Sequence, residues 1–415
     1  MSSSRNLKTK RARYEFFDGT VLIAALILSA LGILMVFSIT GMSIFNNPSG
    51  DPLNYMRHSV TGVLGGIVVM GVMALVPHKW FRGQLGLLIL IGTVIVFLAT
   101  IIFGHGTVAS PDVQRWITIP GVITFQAVDL ARIGFTLSVP WLIKYYIDKR
   151  LYFSNKIAGY YLVPLAFVLL CTLFVAAQPD LGSAVVIFTI GIFIFISSGL
   201  HKIQLAFLVT LAIIALIVFS TVGLYALNLW GYQLNRIVVW EDPFNHPYGL
   251  QTVTGFMSIA LGGWSGVGIG RSTIALGFAI EPHTDLIITI LSEELGFRAV
   301  LLVMILYFTI AIKCFLTALK SRNVYSSLVC IGIGSFFLAQ PFVNLGGVSG
   351  FIPLSGVALP LISYGMTSKI STFVLIGIYF NMRRYILIEV ERHKENQKQS
   401  SKKKGKSNVL QLVPK

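Results

Sequence analysis

Blocks of about twenty apolar residues alternate with short polar connections along most of this 415-residue chain. Ten such blocks stand out, at about 20–44, 59–77, 84–104, 127–147, 157–177, 181–199, 203–227, 286–312, 324–345 and 358–380. Each is long enough to cross a hydrocarbon core as a helix. Glycines and prolines are scattered through them, as membrane helices tolerate. The pattern predicts an all-α polytopic membrane protein with about ten transmembrane helices, in one membrane domain over residues 20–385. The first block lacks a small-residue cleavage site and is too long for a signal-peptide core, so it reads as a retained span.

Composition and charge sharpen this picture. Hydrophobic residues make up 55% of the chain and charged residues only 12%, against about a quarter charged in soluble domains. Mean hydropathy is +0.79, so a soluble globular class is excluded. Arg5, Lys8, Lys10, Arg11 and Arg13 precede the first block. Every second connection is basic as well, through Lys79 and Arg82, Lys149 and Arg150, Lys202, Lys320 and Arg322, then Arg383 and Arg384. The positive-inside asymmetry puts both termini in the cytoplasm. An even number of spans then leaves 228–285 outside, as one large extracellular loop before helix 8.

The net charge of +16 gathers at two basic tails, 1–19 and 386–415. The second, with Lys402, Lys403 and Lys404, reads as a disordered cytoplasmic tail attracted to anionic lipid. No stacking aromatics accompany the charge, which argues against nucleic acid. Cys171, Cys314 and Cys330 suit neither a metal site nor a bridge and read as buried apolar residues. No internal repeat is evident, which weighs against a transporter built from repeated halves.

Ionisable residues in or beside spans are costly and therefore informative. Asp129 and Arg132 share one helical face, as an ion pair serving either packing or function. Arg115 and Trp116 precede them, with Gln126 between; Trp116 could equally be an interfacial anchor. Asp180 in Gln178-Pro179-Asp180 reads best as a helix N-cap. Arg236 could hold a phosphate and Trp240 could stack on a sugar. The run from Gly262 to Arg271 could form an anion-binding concavity, but no strand precedes it, so it is not a dinucleotide fingerprint. Thr284 and Asp285 could cap the next helix, yet Glu281, His283 and Asp285 together exceed what a cap requires. Glu293, Glu294 and Arg298 read as a structural network, with Glu294 and Arg298 spaced to pair. The Gly- and Pro-rich stretch 344–365, which carries Ser363 and Tyr364, reads as a broken element lining a cavity.

Seven motifs in this order resemble the SEDS family (shape, elongation, division and sporulation), whose members include FtsW and RodA. They are Gln114-Arg115-Trp116-Ile117, the Phe125–Arg132 run, Gln178-Pro179-Asp180-Leu181-Gly182, the glycine run from Gly262, His283-Thr284-Asp285, Glu293-Glu294-Leu295-Gly296 and the Gly350–Gly365 block. The likeness covers roughly residues 15–385. It implies an inverting peptidoglycan glycosyltransferase that polymerises lipid II at the outer face of the cytoplasmic membrane, with Asp285 as catalytic base. It further implies importance for Trp116 and for the Asp129–Arg132 pair, a class B penicillin-binding transpeptidase as partner, and other division or elongation proteins nearby. A division-type role at the septum is favoured. Arg115, Gln126, Arg236, Glu281, His283, Ser363 and Tyr364 complete the expected substrate contacts. A divalent cation, Mg or Mn, is a candidate cofactor without assigned ligands; no organic cofactor is expected. The sequence departs from the family pattern at Asp129 and Arg132, where Glu and Lys are usual, at Pro282, at Met366 and Thr367, and at the charged Lys369. The main rival is a flippase or transporter of a lipid-linked cell-wall precursor. It would need charge along a path through the membrane, whereas the clusters here gather mainly at the outer face, with Glu293, Glu294 and Lys369 as the deeper exceptions. A non-catalytic scaffold would leave those clusters without a purpose.

Overall fold

Hydropathy sets the helices, and glycines and caps set where they stop. The computed structural model describes residues 17–43, 52–82, 84–106, 115–119, 123–148, 157–199, 230–273 and 284–410, with single positions 206 and 210. Those two positions apart, the expected span 203–227 lies outside the described residues, as do Gln114, Glu281 and His283. In chain order the elements begin with α1 (Gly19–Ser43), α2 (Pro52–Leu75), the short α3 (Lys79–Arg82) and α4 (Gln84–Phe103). A hairpin of β1 (Trp116–Ile119) and β2 (Ile123–Gln126) leads into α5 (Ala127–Asp148), α6 (Ile157–Ala177) and α7 (Leu181–Ile196). Then come α8 (Trp230–Glu241), α9 (Leu250–Gly262), α10 (Ile287–Leu295), α11 (Phe297–Lys320), α12 (Val324–Val348) and α13 (Met366–Leu410).

Five of these helices (α1, α2, α4, α11 and α12) are each long and apolar enough to cross a membrane. The chain is a multi-pass helical membrane protein. The most buried of the five is α12, which packs against α11, α7, α5 and α13. Along α2, α13 approaches closely through glycines: a methyl on Gly377 would collide with the Met70 backbone, and one on Gly66 with the Phe373 ring. Small residues at membrane-helix crossings permit such contact, where dispersion replaces the hydrophobic effect as the attraction. All three cysteines are buried and unbridged.

The structure changes three expectations. The apolar block 286–312 is not one span, because Gly296 takes φ +81° and ends α10; the crossing helix is α11, starting at Phe297. The last span starts at Met366 rather than 358, since 350–365 leaves helical geometry. Beyond residue 386 the tail read as disordered continues α13 to Leu410, in a stretch of Glu, Lys, Arg and Gln that favours helix.

At the cytoplasmic end a buried carboxylate ties three spans together. Asp18 accepts from Thr20 N at 3.2 Å, capping α1, and pairs with Arg383 of α13 at 2.8 Å and Lys313 of α11 at 3.8 Å. Nearby, the Asn381 amide donates to the carbonyls of Met73, Ala74 and Val76, closing the end of α2.

Candidate functional site

The non-helical stretch 350–365 between α12 and α13 is the scaffold of the outer site. Gly356 adopts φ +66°, and the buried Leu361 is held at φ +67°; a bulky residue persists there only when its surroundings over-determine it. From α12, the Asn344 amide donates to the Asp285 carbonyl at 2.9 Å and to the Val357 carbonyl at 2.7 Å. Ser363 donates to the Thr284 carbonyl at 2.7 Å and accepts from Leu359 N at 2.9 Å. The main chain at 284–285 is therefore fixed from two sides, just ahead of α10.

The Asp285 side chain is half-buried. The N-cap of α10 is Leu286, so Asp285 stands one position ahead of the cap. A methyl placed on Gly356 would lie 3.3 Å from Asp285 Oδ2 and 3.3 Å from Arg236 Nη2. Carboxylate and guanidinium thus share the space above a residue with no side chain. Arg236 is anchored by Nη1 donating to the Leu354 carbonyl at 2.9 Å, and Trp240 by Nε1 donating to the Gly350 carbonyl at 2.7 Å. These two bonds pin α8 to the scaffold and leave Trp240 partly exposed. Tyr364 meets Tyr55 edge to face, with centroids 5.1 Å apart, bringing in the outer end of α2.

A second polar group adjoins the same scaffold on another flank, where Gly182 of α7 packs against Ser355 and Val357. Its centre is Asp180, 2% exposed. Asp180 Oδ1 caps α7 by accepting from Ser183 N at 3.1 Å. Its Oδ2 faces Arg115 at 3.5 Å and accepts from Gln126 Nε2 at 3.3 Å. The hairpin makes this possible, since its register sets Trp116 opposite Gln126 and Ala127 N donates to the Arg115 carbonyl. One turn into α5, Arg132 and Asp129 pair at 3.4 Å, both almost fully buried. The Arg132 guanidinium lies 4.9 Å from the Phe336 ring centre, and its Nε–H has no hydrogen-bond partner among the described residues. Buried donors are rarely left so.

Both groups hold expected residues: Arg236, Asp285, Ser363 and Tyr364 on one flank, Arg115, Trp116, Gln126, Asp129 and Arg132 on the other. Two contributors escaped sequence reading. Asp180 reads as a cap and is one, but it also gathers Arg115 and Gln126. Asn344 carries no signal of its own as the anchor of Asp285. The hairpin was legible in principle, as two β-branched runs, Ile117-Thr118-Ile119 and Val122-Ile123-Thr124, around Pro120-Gly121.

The glycine run docks on the chain's own main chain at the end of α10. Val267 N and Gly268 N donate to the Glu293 and Glu294 carbonyls at 2.9 and 3.0 Å. The fully buried Glu293 carboxylate accepts from Ser258, Ser272 and both Thr273 N and Oγ1. Glu294 accepts from Ser38 of α1 at 2.6 Å. The expected Glu294–Arg298 pair does not form, because the break at Gly296 removes the helical spacing; Arg298 instead donates to the carbonyls of Leu295 and Ser265. Among the described residues no three His, Cys, Asp or Glu side chains converge as a metal site. Lys369, fully buried one turn into α13, donates to Ser59 of α2.

Comparison with known proteins agrees with this architecture. The FtsW/RodA/SpoVE family model, described as cell cycle protein, matches residues 19–386. A Bacillus subtilis relative named "Probable peptidoglycan glycosyltransferase FtsW" is 32% identical over 92% of this chain and 93% of its own. Escherichia coli K12 "Peptidoglycan glycosyltransferase MrdB" is 29% identical over 93% and 98%. Two solved structures share the fold. One, from work on "structural coordination of polymerization and crosslinking by a peptidoglycan synthase complex", has TM-score 0.70 at 23% identity, over 89% of this chain and 98% of the other. Thermus thermophilus rod shape determining protein RodA has TM-score 0.61 at 20% identity, over 89% and 97%. The chain belongs to the FtsW/RodA/SpoVE family.

Proposed function

We propose that this chain polymerises lipid II as an inverting peptidoglycan glycosyltransferase at the outer membrane face, with Asp285 as its base. The observation that carries the reading is the pairing above Gly356. A half-buried carboxylate, fixed through its backbone, stands beside an anchored guanidinium. Asp285 takes the proton from the acceptor C4 hydroxyl, whose oxygen attacks the anomeric carbon of the donor. The bond to the lipid-linked pyrophosphate breaks, and the pyrophosphate leaves with the electron pair. A positioned base contributes about 10²–10⁴-fold, so charge stabilisation must supply much of the rest. In this reading Arg236 supplies it beside Asp285, while Arg115 and Arg132 belong to a second cationic group next to the scaffold. Trp116, Gln126, Asp129, Ser363 and Tyr364 line or support the two flanks. Glu281 and His283 retain their proposed substrate contacts from sequence. A divalent cation is a proposed cofactor, with no ligand set among the described residues.

The relatives' names support the reaction class, and the synthase-complex structure supports a crosslinking partner, here proposed as a class B penicillin-binding protein. A septal, division-type role follows the FtsW names. The test is glycan-strand formation from purified lipid II by the protein with its transpeptidase, comparing wild type with Asp285→Ala, with divalent cation and then with chelator. Polymer from wild type alone is expected. Equal polymer from both would remove Asp285 from the mechanism, and no polymer from either assembled complex would favour a flippase.

A further inference from the structure

Helix α9, in the outer segment between the seventh and eighth expected spans, is built inside out. Its buried positions are Thr252, Thr254, Gly255, Ser258 and Gly262, while Leu250, Met257 and Leu261 are each about half exposed. A helix lying on a protein in water shows the reverse, apolar stripe inward and polar face outward. From residue 250 to residue 270 no charged side chain occurs. The exposed apolar face also does not stop at the helix end. The Trp264 ring, 64% exposed, meets the Phe297 ring at 6.0 Å. Phe297 in turn opens the exposed apolar row of the membrane-crossing α11, through Leu301, Leu302 and Ile305.

We propose that α9 lies within the outer leaflet, with Leu250, Met257 and Leu261 against lipid acyl chains and its small and hydroxyl residues against the protein. Its 13 residues give about 20 Å, too short to span and fitting for a re-entrant or in-plane helix. Helical hydrogen bonding satisfies its backbone, as lipid exposure requires. Exposed polar residues bracket it, Asp242 and Asn245 before and Arg271 after, so both ends return to the outer surface. Phe244 and Tyr248 at one end and Trp264 at the other are exposed, as in an interfacial aromatic belt. Inward, Ser258 donates to Glu293 at 3.2 Å. The leaflet thereby bears on α10, the helix that Asp285 precedes.

The test uses the full chain in liposomes, spin-labelled at a single introduced cysteine, with the buried native cysteines left in place and the unsubstituted chain as labelling control. Met257→Cys and Leu261→Cys are compared with Asn245→Cys for collision with oxygen, which partitions into lipid, and with a water-soluble nickel chelate. The expected result is an oxygen-to-nickel ratio several-fold higher at 257 and 261 than at 245. Two results overturn the proposal. Nickel access equal to that at 245 would put α9 in water, and shielding from both reagents would put protein over it. If either variant misfolds, Leu250→Cys reads the same face.

Discussion

Asp285 and Glu293 bracket the same short helix, and the structure treats the two acids in opposite ways. Glu293 has its carboxylate fully buried and met by four donors from Ser258, Ser272 and Thr273. Asp285 has its backbone fixed by Asn344 and its carboxylate left half-exposed above Gly356, beside Arg236. One acid is satisfied through its side chain and therefore holds structure. The other is secured through its main chain, and its half-buried carboxylate stands beside Arg236 over Gly356, where the proposed reaction needs it. Where the hydrogen bonds go, rather than how acidic a segment is, separates the roles.

The sharpest way to break this contrast is to neutralise each acid in turn. Asp285→Asn should lower lipid II polymerisation by about 10²–10⁴-fold, with thermal stability in detergent close to wild type. Glu293→Gln should do the converse. Its new NH2 would replace one carboxylate oxygen, facing either the Ser258 and Ser272 hydroxyls or Thr273 N and Oγ1, and the donors on that side would lose their acceptor, at about 1–3 kcal/mol each for a buried group. The expected readout is a clear drop in melting temperature, with turnover per folded molecule largely kept. If Glu293→Gln instead stops catalysis in a protein that melts normally, the division of labour between the two acids is wrong.

Gly356→Ala probes the space between carboxylate and guanidinium. At φ +66° a side chain costs about 1–2 kcal/mol, and its methyl would press on both Asp285 and Arg236. Activity should fall roughly tenfold or more, beyond what about 1–2 kcal/mol of lost stability explains. Lipid II turnover by the folded fraction measures the difference. Unchanged turnover would mean that the two groups do not act together there.

Hydropathy alone exposed most of the architecture, because the cost of burying charge in lipid writes span length into composition. It could not show the break at Gly296, since 286–312 carries no proline, a lone glycine is tolerated inside a helical pattern, and the break is imposed by docking of the glycine run. Phe297 N donates to the Gly263 carbonyl, and a methyl on Gly296 would strike the Trp264 carbonyl. The motif residues were legible as a set, but not their grouping into two flanks, which depends on Asn344 and Gly182 meeting 355–357 from different helices. Asn344 looks like any polar residue late in an apolar helix. Its two carbonyl partners come from chain 59 and 13 residues away, a relation no local pattern carries.

The smallest expected effect tests the flank away from Asp285. Asp180→Asn keeps an oxygen that can cap Ser183 N, so α7 should still start at Leu181. It removes the charge that faces Arg115 and one acceptor for Gln126. The loss should be about 1 kcal/mol of stability, with turnover reduced modestly and mainly through weaker substrate binding, because Arg115 loses its orientation while the base remains intact. Asp180→Ala removes the cap as well and should cost about another 1 kcal/mol. A KM rise shared by both variants, with kcat nearly constant, would assign the hairpin flank to holding substrate. A fall in kcat as large as that of Asp285→Asn would join the two flanks into one catalytic unit and erase the distinction between them.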